Sequence, residues 1–229
     1  MIILISPSKT MRQTKEMGNT TPMFWDEADK LMNKLKAMDE TTLEKAFSLS
    51  PSLAAKTQEM HADFEPRYRA IEAYTGAQFK SLDIATLSVD AVEYLGKHLY
   101  IISGLYGLVR PEDSIGLYRL PMGERLDGTS LASFWRAKLF KVLVQETVVL
   151  NLASGEYAAA LDNQLAVYHV KFEKASSMLV KQLRGKMVRQ LAERAIASID
   201  AVKRLKVGDY VFSHVVEETR SFVFVQTKK

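Results

Sequence analysis

Short apolar runs cut off by polar turns mark the strands of this chain. Residues 2–5, 99–102 and 147–150 are apolar and rich in β-branched side chains, and each run is followed by Ser or Asn. Runs of this length bounded by turn residues predict buried strands. Further strand patterns lie at 165–171, 209–213 and 222–225. After the first run the period becomes helical. Phe24, Ala28, Leu31, Leu35 and Met38 recur on one face behind Thr21-Pro22, read as an N-cap with proline at the first helical position. Thr41 with Glu44 fits a capping box for a second helix. Ser50-Pro51 opens a third, with Leu53, Ala54, Thr57, Met60 and His61 on one side. Pro66 opens a fourth, stopped by Gly76. Ser88 caps a short helix ending at Gly96, and another covers 131–144 with Leu131, Trp135, Leu139 and Val142 inward. Residues 176–182 fit strand or helix, and 186–199 fit a helix. No repeat or linker divides the chain. The expected architecture is a single compact mixed α/β (α+β) domain over residues 1–229, with helices around a central mixed sheet.

Polar motifs follow the first three runs. They are Ile5-Ser6-Pro7-Ser8-Lys9-Thr10, then Ser103-Gly104-Leu105-Tyr106-Gly107-Leu108-Val109-Arg110-Pro111, then Asn151-Leu152-Ala153-Ser154-Gly155-Glu156-Tyr157. In open α/β sheets, ligands sit at the carboxyl ends of strands. The three motifs are therefore expected to meet in one pocket. Ser6, Lys9 and Thr10 come from the first, Ser103, Tyr106 and Arg110 from the second, and Asn151, Ser154, Glu156 and Tyr157 from the third. The loop over 110–128 is long enough to be functional. It adds Asp113, Tyr118 and Arg119. Arginine suits forked recognition of carboxylate or phosphate, so at least one of Arg110 and Arg119 is expected to face the pocket and hold an anion.

The wording ISPSKT, SGLYGLVRP, YRLPMG and NLASGEY, in this order, resembles the YaaA family of bacterial peroxide-stress-resistance proteins. The resemblance runs from residue 2 to about residue 213. Ser8 stands where relatives carry Ala, and Gly155 where they carry an acid; relatives also have a longer hairpin after residue 172. The resemblance implies a cytoplasmic DNA-binding protein that limits oxidative damage and is associated with lower free intracellular iron. It also implies a mixed α/β fold with an embedded helix-hairpin-helix element and a positively charged cleft.

Charge adds a candidate nucleic-acid surface. The formal net charge is +4. Between 181 and 206 lie Lys181, Arg184, Lys186, Arg189, Arg194, Lys203, Arg204 and Lys206, against Glu193 and Asp200. Lys186, Arg189 and Arg194 fall opposite the apolar set Met187, Val188, Leu191, Ala192, Ala195 and Ile199, as a phosphate-binding helix would arrange them. Arg184-Gly185-Lys186-Met187 with Arg189 also matches an Arg-Gly-x-Met-x-Arg pattern of the family it resembles. The hairpin candidate is residues 74–82, with Gly76 at a turn that accepts positive φ and Lys80 beside it. These residues are expected to contact the backbone of double-stranded DNA.

Other chemistry is constrained by what the chain contains. With no cysteine, disulfides, thiolate zinc sites, iron–sulfur clusters and thiol peroxidase chemistry are excluded. His61, His98, His169 and His214 show no paired ligand spacing, so no metal and no cofactor is expected. No apolar stretch reaches the length of a membrane span, and no basic leader precedes residues 2–5. Two functions remain open: a DNA-binding stress protein, or an enzyme acting on a nucleoside, nucleotide or damaged base in the strand-end pocket. The second would involve a small anionic or nucleotide ligand, with Asp113 or Glu156 as base or oxocarbenium stabiliser.

Overall fold

The computed structural model describes residues 1–146 and 148–227. β1 (Ile2–Ile5) is followed by a long polar loop, then by α1 (Trp25–Lys36), α2 (Glu40–Phe47) and α3 (Pro51–Ala62). Short elements come next: β2 (Tyr68–Arg69), α4 (Ala70–Ala73) and α5 (Ala77–Leu82). α6 (Val89–His98) leads into β3 (Leu99–Ser103) and β4 (Gly107–Val109). The loop beyond contains β5 (Ser114–Ile115), β6 (Arg125–Leu126) and β7 (Thr129–Ser130) before α7 (Leu131–Leu143). β8 (Val149–Asn151), α8 (Gly155–Ala158), β9 (Val167–Phe172) and α9 (Ser177–Glu193) follow. The chain continues through α10 (Ile199–Val202), β10 (Lys206–Val207), β11 (Tyr210–Val216) and β12 (Ser221–Gln226).

Eight strands form one mixed sheet in the order β10-β11-β12-β9-β8-β1-β3-β4. The inner run β3, β1, β8, β9 and β12 is parallel, and hairpins close both ends. Every residue of β1, β3 and β8 is buried, which explains why these strands read as continuous apolar runs. The mixed α/β fold is as expected. Thr147, the first residue of the third run, lies outside the described residues.

Topology sets the functional edge. From β1 the chain moves to β3 on one side of the sheet, and later returns through β8 on the other. The gap between β1 and β8 is therefore a topological switch point, where an open α/β sheet leaves a crevice at its carboxyl end.

Ser50 and Ser88 do precede α3 and α6, and the Ser88 side chain accepts the Ala91 N–H at 3.3 Å. Other boundaries differ. α1 starts at Trp25, so Thr21 is not its cap; Thr20 beside it bridges to Asp113, which holds this stretch in the loop. α2 is capped by Asp39, whose carboxylate accepts the Thr42 N–H at 2.8 Å, and not by Thr41. Pro66 does not open a helix, because Tyr68 and Arg69 pair with Ile115 and Ser114, leaving one helical turn after them. Residues 176–182 are helical: Ser176 caps α9 through the Leu179 N–H, and the basic helix ends at Glu193 rather than 199. Ala195, with φ +46, turns the chain there.

Candidate functional site

A cavity of about 320 Å³ lies at the carboxyl ends of β1 and β8. The two strand-end loops are tied together. Ser6 Oγ accepts the Ser154 N–H at 2.8 Å and lies 3.3 Å from Ser154 Oγ. Ser8 Oγ accepts the Thr10 N–H at 3.1 Å, and Thr75 Oγ1 reaches Thr10 Oγ1 at 3.1 Å. Gln78, buried on α5, lies 3.4 Å from the Ser6 carbonyl oxygen through Nε2. Ser6, Lys9 and Thr10 form one wall, Ser154, Glu156 and Tyr157 another, and Phe79, Met178, Lys181 and Arg184 the remainder. Pro7, Ser8, Lys9 and Tyr157 also border an adjoining recess of about 10 Å³, lined further by Tyr118 and Arg119.

The cations here are poorly neutralised. Burial lowers the pKa of Arg184 from its ordinary value, and its Nε is buried with no hydrogen-bond partner. Arg119 Nε is likewise buried without a partner, while Nη1 lies 3.5 Å from the Lys9 carbonyl oxygen. None of Lys9, Arg119, Lys181 and Arg184 forms an ion pair among the described residues. Glu156 accepts the Gly123 N–H at 3.3 Å. Glu124 beside it has its pKa raised, by burial first and by the Glu156 charge second, with Lys9 opposing. An anion entering the cavity therefore meets several unpaired positive groups, with Glu156 to accept a donor.

The second motif serves a different purpose. Ser103 is fully buried, and its Oγ caps the following turn by accepting the Leu105 and Tyr106 N–H groups at 3.1 and 2.9 Å. It lies 2.7 Å from Tyr118 Oη, which is 2.8 Å from Tyr74 Oη. Burial pushes the Tyr118 phenol up to about 12, so this chain of hydroxyls stays neutral. Tyr106 is in the core, its Oη accepting the Gly116 N–H at 2.9 Å. Gly107 has φ +71 and carries the turn beneath Trp135, 2.6 Å from where a Cβ would stand. Arg110 is exposed; it donates to Tyr100 Oη at 3.0 Å and sits over that ring. Asp113 is buried and fixes the loop, accepting the Arg110 N–H at 2.8 Å and the Thr20 hydroxyl at 2.7 Å. Asn151 turns inward, its amide 3.0 Å from His169 Nδ1 and its oxygen accepting the Ala153 N–H at 2.9 Å. The structure thus brings together the first and third motifs and Arg119. It leaves Tyr106, Arg110 and Asp113 in scaffold positions.

The basic helix divides similarly. Lys181 and Arg184, three apart, share the face that lines the cavity. Arg189 is held internally: Nη1 donates to the Leu82 and Asp83 carbonyls at 3.1 and 3.0 Å and to Thr86 Oγ1 at 2.8 Å, and Nε pairs with Glu193 at 2.8 Å. Its guanidinium is occupied by these internal partners. Lys186 and Arg194 are exposed away from the cavity lining. Gly185 explains the Arg-Gly-Lys-Met wording, because a Cβ there would sit 2.0 Å from the Gln78 carbonyl oxygen. Its hydrogen lets α5 press against α9. Gly76 has φ −65 and does not use the left-handed region expected of it; a Cβ would lie 2.6 Å from Ser8 Oγ. Lys80 lines a neighbouring cavity of about 340 Å³ together with Arg12 and Thr75. Gln78 and Phe79 fell inside the hairpin candidate without being named as cavity residues, and Met178 was not legible as a site residue. Their helical settings gave no chemical signal, and only the α5–α9 contact places them.

Residues 1–215 match the family described as "Peroxide stress protein YaaA". The chain belongs to this family. The UPF0246 protein of Francisella philomiragia subsp. philomiragia is 34% identical over 241 residues, covering 93% of this chain and 95% of the relative. UPF0246 proteins of Francisella tularensis subsp. holarctica and subsp. novicida show the same identity and coverage. No helix among the described residues is long and apolar enough to cross a membrane.

Proposed function

We propose that this protein acts in the peroxide stress response by binding the phosphate backbone of double-stranded DNA in the cytoplasm. In this reading it shields DNA from damage driven by free iron. The contact surface is the switch-point edge: Lys9, Lys181 and Arg184 around the first cavity, with Lys80 and Arg12 at the second. The observation that supports it is the set of cations on this edge left without ion pairs, with Arg184 partly desolvated and its Nε unsatisfied. Lysines and arginines left unpaired on one edge are the electrostatic footprint of a phosphate binder. In this reading the phosphate-contacting part of α9 is its first half, not the stretch around Arg189.

The test is a salt titration of binding to a short duplex. Lys80→Gln with Lys181→Gln is expected to lower the slope of log affinity against log salt by about two units, roughly one per lost phosphate contact. An unchanged slope with a folded protein would reject this edge as the interface. Full peroxide protection by the same variant, in cells lacking the natural protein, would separate DNA contact from the stress function.

A further inference from the structure

We infer that the switch-point cavity is a mononucleotide site, with Arg184 and Lys181 as its phosphate anchor. The inference rests on the reading of this edge as a phosphate-binding surface, and adds that one whole nucleotide enters it.

Arg184 is the starting point. Burying a cation is costly unless an anion accompanies it. Among the described residues no carboxylate pairs with Arg184, and its buried Nε has no acceptor. Lys181 lies on the same helix face, and Lys9 lines the same cavity from the β1 loop. The arrangement lacks one multiply charged anion. A phosphate monoester supplies the charge and three acceptor oxygens that a guanidinium fork and two ammonium groups can share.

Bare phosphate would leave most of the space unused. The cavity is about 320 Å³, within the range of small-molecule sites. Phe79, Tyr157 and Met178 provide apolar and aromatic surface of the kind on which a base packs. Thr10 and Ser6 offer hydroxyls, and the Glu156 carboxylate accepts from a sugar hydroxyl or a base amino group while repelling a second anion. Cation, flat apolar wall and a single acceptor carboxylate together fit a nucleoside monophosphate. The position at the switch point of a parallel sheet is where such ligands bind.

The nucleotide has two sources: a free monophosphate, or an unpaired residue of a DNA strand. Calorimetric titration of the full chain uses thymidine 5′-monophosphate, thymidine and inorganic phosphate as probes. The monophosphate is expected to bind one per chain, at least about tenfold tighter than either fragment. Arg184→Gln and Lys181→Gln are each expected to lose about tenfold, whereas Lys186→Gln, exposed on the same helix outside the cavity, stays within about twofold. Because Arg184 is half-buried, the exposed Lys181 variant keeps the test independent of folding. Displacement of the monophosphate at least about tenfold more effectively by a duplex carrying one bulged nucleotide than by blunt duplex, whose backbone phosphates reach the same cations, assigns the site to a strand residue. Failure of both duplexes to displace it assigns it to the free nucleotide and takes Lys181 and Arg184 out of the backbone contact. Binding no tighter than inorganic phosphate, or equal losses in all three variants, overturns the proposal. Salt-sensitive duplex binding without monophosphate binding overturns this site and leaves the backbone reading standing. Monophosphate binding without duplex binding does the reverse.

Discussion

Lowering the pH from about 7 to about 5 is expected to destabilise the fold through His61. The ring is fully buried on α3. Its Nε2 accepts the Arg119 N–H at 3.2 Å, so that nitrogen is unprotonated, and Nδ1 is buried without a partner. Burial pushes the pKa from 6.5 down to about 4. Below pH 6.5 the unfolded chain takes up a proton that the folded chain refuses until about pH 4. The unfolded state binds more protons across that window, so stability is complete above it and drains away as pH falls. Fully expressed, the gap amounts to about 3 kcal/mol, of which about 2 kcal/mol is lost by about pH 5. Asp113 and Glu124 have raised pKa values and act with the opposite sign, so a comparison is needed to isolate His61. His61→Gln keeps an acceptor for the Arg119 N–H and does not titrate. Urea unfolding of both proteins should show the stability difference between them shifting by about 2 kcal/mol, against the natural chain, between about pH 7 and 5. Parallel pH curves would refute the argument and place His61 in contact with water.

Gly185→Ala is expected to cost about 1–3 kcal/mol in chemical unfolding, because the new methyl group meets the Gln78 backbone and not a yielding side chain. Arg189→Ala should lower stability by about 1–2 kcal/mol while leaving the salt dependence of duplex binding unchanged; a reduced slope would return this residue to the interface. Asp113→Asn is expected to cost about 1–3 kcal/mol in thermal or urea unfolding, since the amide can place an NH₂ against the Arg110 N–H or the Thr20 hydroxyl that the carboxylate accepts.

What the chain disclosed in advance follows from where the deciding contacts lie. The strand runs were legible because β1, β3 and β8 are buried on both faces and their composition shows it. Ser50 and Ser88 were legible because each stands directly before its helix. Thr41 misled because Asp39, two residues earlier, caps the helix by accepting the Thr42 N–H and leaves Thr41 inside it. Pro66 misled because strand pairing of Tyr68 and Arg69 with a loop far along the chain outcompetes helix formation. The first and third motifs do share a cavity, as adjacent parallel strands require. The second motif looks equally chemical in sequence, yet Ser103, Tyr106 and Asp113 satisfy backbone groups of its own loop. Arg189 shows the same limit: a cation on a helix face reads as available until the carbonyls at the end of α5 are seen beneath it.

The position of β1 has a consequence for how the protein is made. Ile3 lies between Leu99 and Leu150, so this strand is flanked by two that emerge much later. During translation Ile2, Ile3, Leu4 and Ile5 leave the ribosome with neither neighbour available. At about 5–20 residues per second, many seconds pass before β8 appears. An apolar segment waiting that long is a natural client for a chaperone, and its pairings are among the most distant in the chain. The centre of the sheet therefore closes only when the third motif arrives, and β9 and β12 join after it. The cavity is completed later still, when Met178, Lys181 and Arg184 of α9 arrive to line it.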